Sequence, residues 1–437
     1  MKKLFAILLI SVTITALVAC SSINIGESAS GITGSSTASI SNTTSTSATT
    51  STSATTSTSA TTSTSATAIT TGSLKYSIND DGKTCTITGI GTYKNSNVEI
   101  PSAIGGYTVT SIGKKAFYNL NITSVTIPGT VTSINDYAFD NCHSLTNITI
   151  SEGVSSIGKG AFNDCRFLAD ITFPNSITYI GDYAFNNCSS LSNITIPGSV
   201  ISIGESAFED CSGLISITIS EGVTFIGKNA FLNCKNFKSI TIPGSTASIS
   251  EGAFKNCSEL ISVIISDGVT SIGDYAFDSC RNLISVTIPD TLTSIEKGAF
   301  KNCLKLANIN IPDGVTSIGD YAFSYCYALP SVNIPDSVTY IGDYAFRDCS
   351  SFTNITIPNS ITSIREGVFY CCGTLYNITI PNSVTYIGDY ALHCCGCLTN
   401  ITYTGTTTEW ESITKISNWD ENAFDYVIIC TNGTIIK

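Results

Sequence analysis

Residues 191–211 read Leu191-Ser-Asn-Ile194-Thr-Ile196-Pro197-Gly-Ser-Val200-Ile-Ser-Ile203-Gly204-Glu-Ser-Ala207-Phe208-Glu-Asp-Cys211. Ile194 and Ile196 alternate with Asn193 and Thr195, the period-two pattern of a half-buried strand. Pro197 has no amide donor and ends the strand's hydrogen bonding there. Val200 and Ile203 turn inward again, and Gly204 marks a close bend. Ala207, Phe208 and Cys211 have helical-turn spacing, so a short helix or 3₁₀ turn is expected over them. One such unit cannot shield its apolar side from water, but stacked copies can.

The unit recurs along most of the chain. Its ruler is Phe117, Phe139, Phe162, Phe185, Phe208, Phe231, Phe254, Phe277, Phe300, Phe323, Phe346, Phe369 and then Leu392, a step of 22 once and 23 thereafter. A fixed period of this size means a solenoid. The expected fold is a mainly β repeat solenoid of about thirteen coils, with a curved parallel sheet and short helical turns, over residues 111–403. The pattern Leu-x-x-Ile-x-Ile-Pro-x-x-Val-x-x-Ile-Gly-x-x-Ala-Phe-x-x-Cys resembles the BspA-like bacterial leucine-rich repeats. Departures are few: Phe237 and Phe352 replace the leading Leu, and Ser151, Ser220 and Ser266 replace Pro.

Outward from the repeats, residues 74–110 alternate like strands around an Asp80-Asp81-Gly82 turn and read as an N-terminal cap. Residues 404–437 lose the period, hold Trp410 and Trp419, and read as a C-terminal cap with a degenerate last unit at Ala423-Phe424. Residues 20–73 are dominated by Ser, Thr and Ala, with no charge between Ser28 and Leu74. Such a stretch cannot bury enough apolar surface to order itself, so it is expected to be a disordered tether with a reach of about 40 Å. Residues 1–19 carry Lys2 and Lys3, then an apolar run ending Leu17-Val18-Ala19-Cys20. This resembles a bacterial lipoprotein signal peptide and lipobox. The resemblance implies lipidation of Cys20 and anchoring on an extracytoplasmic membrane face, at the cell surface or outer envelope.

Composition excludes several functions. The 437 residues carry 21 Lys plus Arg against 33 Asp plus Glu, a net charge of −12, which argues against nucleic acid as a partner. Two His leave almost no material for imidazole chemistry or a His-based metal site. The carboxylates that follow Ile-Gly, such as Asp182, Asp274, Asp320, Asp343 and Asp389, share a column with Lys159 and Lys228. A repeated column that accepts both signs reads as a solvated turn, so no catalytic residue, cofactor or metal is expected.

The 18 cysteines are the compositional anomaly. Twelve keep the period: Cys142, Cys165, Cys188, Cys211, Cys234, Cys257, Cys280, Cys303, Cys326, Cys349, Cys372 and Cys395. Coils about 4.8 Å apart would set their sulfurs in a row. A buried ladder of free thiols fits this best. Disulfides between successive coils suffer from parallel Cβ directions, and metal binding from sulfurs that do not converge. Besides Cys20, the residues Cys85, Cys371, Cys394, Cys397 and Cys430 stand outside the column, and a Cys371–Cys394 bridge stays open.

The outward strand positions form the candidate binding face. One column includes Asn147, Asn193, Ser216, Asn308, Asn354 and Asn377; its neighbour includes Thr149, Thr195, Thr218, Asn310, Thr356 and Thr379. Tyr179, Phe225, Tyr340 and Tyr386 add aromatic contact points from a third column. The resemblance implies a surface adhesin that binds host matrix or cell-surface proteins or glycans through this face. The alternative is an envelope protein that associates with itself and has no specific ligand.

Overall fold

The computed structural model describes residues 74–437, so the signal segment, Cys20 and the Ser/Thr tether lie outside the described residues. Each repeat forms one coil, and most coils are held to the next by three backbone ladders. The first runs through four-residue strands such as Asn193–Ile196 and Ser216–Ile219, paired parallel and in register, Ile194 on Ile217 and Ile196 on Ile219. The second runs through two-residue strands such as Ser202–Ile203, which pairs with Tyr179–Ile180 on one side and Phe225–Ile226 on the other. This ladder extends the expected architecture, because Val200-Ile-Ser-Ile203 is too short to announce a strand by alternation.

The third ladder replaces the expected helical turn. Tyr183 and Asn187 have φ of 56° and 55°, and a left-handed residue cannot continue a right-handed helix. The segment is instead a chain of tight turns, with Ala184 N–H on Gly181 O and Cys188 N–H on Phe185 O. The remaining amides reach the next coil: Tyr183 N–H donates to Glu205 O, Phe185 to Ala207 O and Asn187 to Glu209 O. Asn, which tolerates this backbone region, fills the second left-handed position at 119, 141, 187, 233, 256 and 302.

The core lies between the ladders. Ile194, Ile196, Val200, Ile203, Ala207, Phe208, Cys211 and Leu214 are all buried, and their counterparts repeat along the molecule. The phenylalanine column from Phe117 to Phe369 is one continuous stack. Ring centroids lie 5.0 Å apart at Phe117–Phe139 and 5.8 Å apart at Phe346–Phe369, with planes within 3° and 6°. Offset parallel stacking of this kind adds about 0.5–1.5 kcal/mol per pair beyond burial.

Proline's role at the strand end is visible from its absences. Where Ser151, Ser220 and Ser266 stand in place of Pro, the backbone N–H bonds to the preceding coil, on Ile127 O, Ile196 O and Ile242 O at 3.0–3.1 Å. The carboxylate column also differs from the solvated turn expected of it. Asp182 Oδ1 accepts the Glu205 N–H at 3.0 Å, and Asp320 Oδ1 the Asp343 N–H at 2.9 Å, so these side chains stitch neighbouring coils.

An antiparallel hairpin closes each end of the ladders. Lys75–Ile78 pairs with Thr84–Gly89, and Asp81 accepts the Lys83 and Thr84 amides at 2.8 Å in the turn. Val427–Cys430 pairs with Gly433–Ile436. Before the second hairpin, the short helix Thr407–Ser412 is capped by Thr406 and buries Trp410. The ladder then aligns Trp419, not Ala423, with the repeat alanine: Leu392 N–H bonds to Trp419 O. Phe424 is 63% exposed, so the degenerate unit expected at Ala423-Phe424 is corrected. The inserted helix shifted the register.

Candidate functional site

The twelve column cysteines are fully buried free thiols. Each Sγ–H donates to the carbonyl of the phenylalanine in the preceding coil: Cys211 to Phe185 O at 3.1 Å, Cys303 to Phe277 O at 3.3 Å. That carbonyl already accepts the backbone N–H of its own coil's cysteine, as Cys188 N–H on Phe185 O shows. The thiol therefore occupies the carbonyl's second lone pair, which pure packing would leave empty. Burial pushes the Cys142 thiol up to about 12 and holds Cys165, Cys188 and Cys234 well above the ordinary thiol range. Such thiols are inert. Replacing Cys211 with alanine is expected to cost about 1–2 kcal/mol. Serine is expected to cost more, about 2–3 kcal/mol, because its shorter C–O bond strands a buried hydroxyl away from Phe185 O. Denaturant titration of the two variants checks the order.

Cys371 and Cys394 differ from the column. Both adopt left-handed φ, 55° and 57°, both are half-buried, and burial raises both thiols above the ordinary thiol range. Beside them Arg347 lies over the rings of Tyr325, Tyr344 and Tyr370 at 4.9–5.7 Å, and His393 stacks on Tyr370 at 4.8 Å. Tyr183, Tyr275, Tyr321, Tyr344 and Tyr390 occupy the first left-handed turn position, where Tyr321 and Tyr344 stack at 5.3 Å. Among the described residues no group of three or more His, Cys, Asp or Glu is arranged to hold a metal. None of their helices is long and apolar enough to cross a membrane.

The candidate binding residues divide between two strand columns of the coil. Asn147, Thr149, Asn193, Thr195, Ser216, Thr218, Asn308, Asn354, Thr356, Asn377 and Thr379 lie on the first ladder's strands, four residues long in most coils but shortened to Asn308–Ile309 and Asn354–Thr356 in two, and Asn310 directly follows one. All are exposed except Asn377 and Thr379, which are half-buried. Toward the C-terminal end they form an amide ladder: Asn377 Nδ2 donates to Asn354 Oδ1 and Asn400 Nδ2 to Asn377 Oδ1, each at 2.8 Å. Tyr179, Phe225, Tyr340 and Tyr386 are exposed as well, but on the two-residue strands. Tyr340 is covered in part by the Arg365 guanidinium at 5.2 Å. The structure thus gives two repeating outward surfaces, one of amides and hydroxyls and one with spaced aromatics.

Two features of the four-residue face were missed by the sequence reading. Ile215, Ile261 and Ile284, in the column just before the strand, are exposed together with Ile264 on it; Ile215 is 62% exposed. The signal was available, since Thr146, Ala169 and Ser192 fill that column earlier. The ladder is also interrupted. Coil 170–173 keeps only a bridge at Asp170, and coil 331–334 follows Pro330, which has no amide to give. A third gap separates Ser216–Ile219 from Ser239–Ile242 and opens a groove of about 280 Å³.

The BspA type leucine rich repeat region matches residues 110–238, 202–330 and 293–427 in six copies overall. A leucine rich cell surface protein from Faecalibacterium prausnitzii is 32% identical over 79% of this chain and 97% of its own, with a TM-score of 0.49. A leucine-rich repeat protein from Bacteroides ovatus is 27% identical over 82% of this chain and 98% of its own, with a TM-score of 0.60. No curated protein matches. The repeated motif, the stacked coils and the family match across residues 110–427 agree: the chain belongs to the BspA-type leucine-rich repeat family.

Proposed function

We propose that this chain is a lipid-anchored surface adhesin whose solenoid presents the four-residue strand face to proteins or glycans outside the cell. The observation that carries the reading is the face itself: outward Asn, Ser and Thr in register from coil to coil, as in Asn193 on Ser216 and Thr195 on Thr218. An array of neutral donors and acceptors on a rigid support meets an extended partner without ordering cost on its own side. The name of the Faecalibacterium relative, a cell surface protein, agrees with an exposed location. Cys20 would supply the membrane attachment, residues 20–73 the spacer, and the two end hairpins would shield the terminal coils.

Immobilised extracellular-matrix proteins and glycans, probed with the full chain, test this. Saturable binding that weakens when Thr195 and Thr218 become Lys is the expected result. Absence of saturable binding, with concentration-dependent self-association in sedimentation, would replace the adhesin by the envelope reading. One feature favours that second reading: the outer strand Gly433–Ile436 leaves an open edge, with Ile436 83% exposed.

A further inference from the structure

The second left-handed turn position forms a column of its own. Toward the C-terminal end it runs Asn302, Tyr325, Asp348, Cys371, Cys394 and Asn422, each with positive φ. In this column the side chains of successive coils reach one another. Asn233 Nδ2 donates to Asp210 Oδ1 at 2.9 Å, Asn256 Nδ2 to Asn233 Oδ1 at 3.0 Å and Asn302 Nδ2 to the Ser279 hydroxyl at 3.4 Å. The ladder thiols differ, because each is aimed at a backbone carbonyl. Only at Cys371 and Cys394 does the turn column, among the described residues, set two sulfurs on adjacent coils.

The two coils are held in register around this pair. Cys371 N–H donates to His393 O at 2.8 Å, and one residue earlier Tyr370 stacks on His393 at 4.8 Å. Coils about 4.8 Å apart fall within the about 4.4–6.8 Å of Cα separation that a disulfide spans. Both residues are half-buried, so a small reagent can reach them, while Cys372 and Cys395 beside them are fully buried. Burial pushes the Cys371 thiol up to about 12, and the Cys394 sulfur adds to the rise. Burial raises Cys394 as well. Neither thiolate is stabilised, and a stabilised thiolate is what makes a bridged pair easy to reduce. A bridge at this place would therefore resist reduction.

We propose that Cys371 and Cys394 close into a disulfide that fastens the last regular coil to the coil before it. The inference goes beyond the binding role proposed above and stands without it. The oxidant is a small organic disulfide, a class that persists outside the cytoplasm. A thiolate of the pair attacks one of its sulfurs and expels a thiolate, and the second cysteine then displaces the other half. The protein loses two S–H bonds and gains one S–S bond. The small disulfide is reduced to two thiols, which take up the two protons. What the bridge fastens is the support of the C-terminal cap: Leu392 N–H donates to Trp419 O at 2.7 Å and Cys394 N–H to Glu421 O at 3.0 Å.

To test this, the folded full chain is incubated with oxidised glutathione, freed of it, then denatured and labelled with a maleimide. Mass spectrometry maps the labelled and cross-linked peptides. Labelling should disappear at Cys371 and Cys394, with one peptide pair joining them, and persist at the twelve ladder cysteines. Cys371→Ser should leave Cys394 as a mixed disulfide with glutathione, the trapped first step. In the unsubstituted chain, oxidation should slow amide exchange over residues 414–430 about tenfold. The double substitution Cys371→Ser, Cys394→Ser should abolish that response to oxidant. Full labelling at both cysteines, a link from Cys394 to Cys397, or a bridge within the buried ladder overturns the proposal. A Cys371–Cys394 bridge that leaves exchange over 414–430 unchanged overturns the fastening.

Discussion

Raising the pH through about 10 is expected to unfold the solenoid steeply. The cause is the thiol column. In eleven of its members burial raises the pKa above the ordinary thiol value of 9.0. The folded state keeps these protons while an unfolded chain releases them above pH 9. The stabilisation is thus fully present below that pH and is lost as pH climbs toward the folded values. Each thiol loses about 1.4 kcal/mol per pH unit in this window. Several acting together exceed the about 5–15 kcal/mol that holds a typical domain folded. Circular dichroism against pH, with thiolate absorbance followed in parallel, measures the transition. Alanine at three column positions should make the pH dependence shallower by about three protons. A solenoid that keeps its signal at about pH 11.5 would contradict the burial of protonated thiols.

Replacing Phe277 with alanine is expected to cost about 3–5 kcal/mol. Its ring is wholly buried and stacks on Phe254 and Phe300 at 5.5 Å each, so two contacts vanish with one side chain. In a solenoid each coil touches only its neighbours, and a defect in the middle separates the halves. Denaturation should therefore split into two transitions, with proteolysis concentrating near the altered coil. One transition, shifted by less than about 1 kcal/mol, would show that the stack carries little energy.

The coil interior was legible in the sequence because burial repeats. Phe208, Cys211, Ile194 and Ile203 keep their columns, and a buried column can vary little without opening a cavity in the two coils it touches. The third ladder was not legible. Ala207, Phe208 and Cys211 have helical spacing, and only the left-handed φ of Ser206 and Asp210 shows that the backbone chose turns. Neither residue announces that conformation as a glycine would. The candidate face was half legible. Asn193 and Thr195 point outward by alternation, but Tyr179 and Phe225 sit on a separate ladder built of two-residue strands, too short for alternation to assign. The missing register between Ser216–Ile219 and Ser239–Ile242 was hidden because the two strands themselves read like their neighbours.

The cysteine-to-carbonyl bond spans 26 residues in every coil but the first, where Cys142 reaches Phe117 across 25. Within the regular 23-residue units each coil-to-coil partner thus keeps a constant offset along the chain. Duplicating or deleting one whole unit leaves all remaining offsets intact, while a single inserted residue breaks them. The molecule can therefore change its length by tandem copying of a 69-nucleotide block, about 23 codons, with no redesign of its interior. A lineage carrying this gene holds a ruler that recombination can lengthen or shorten, and the reach of the protein becomes a trait adjustable by copy number.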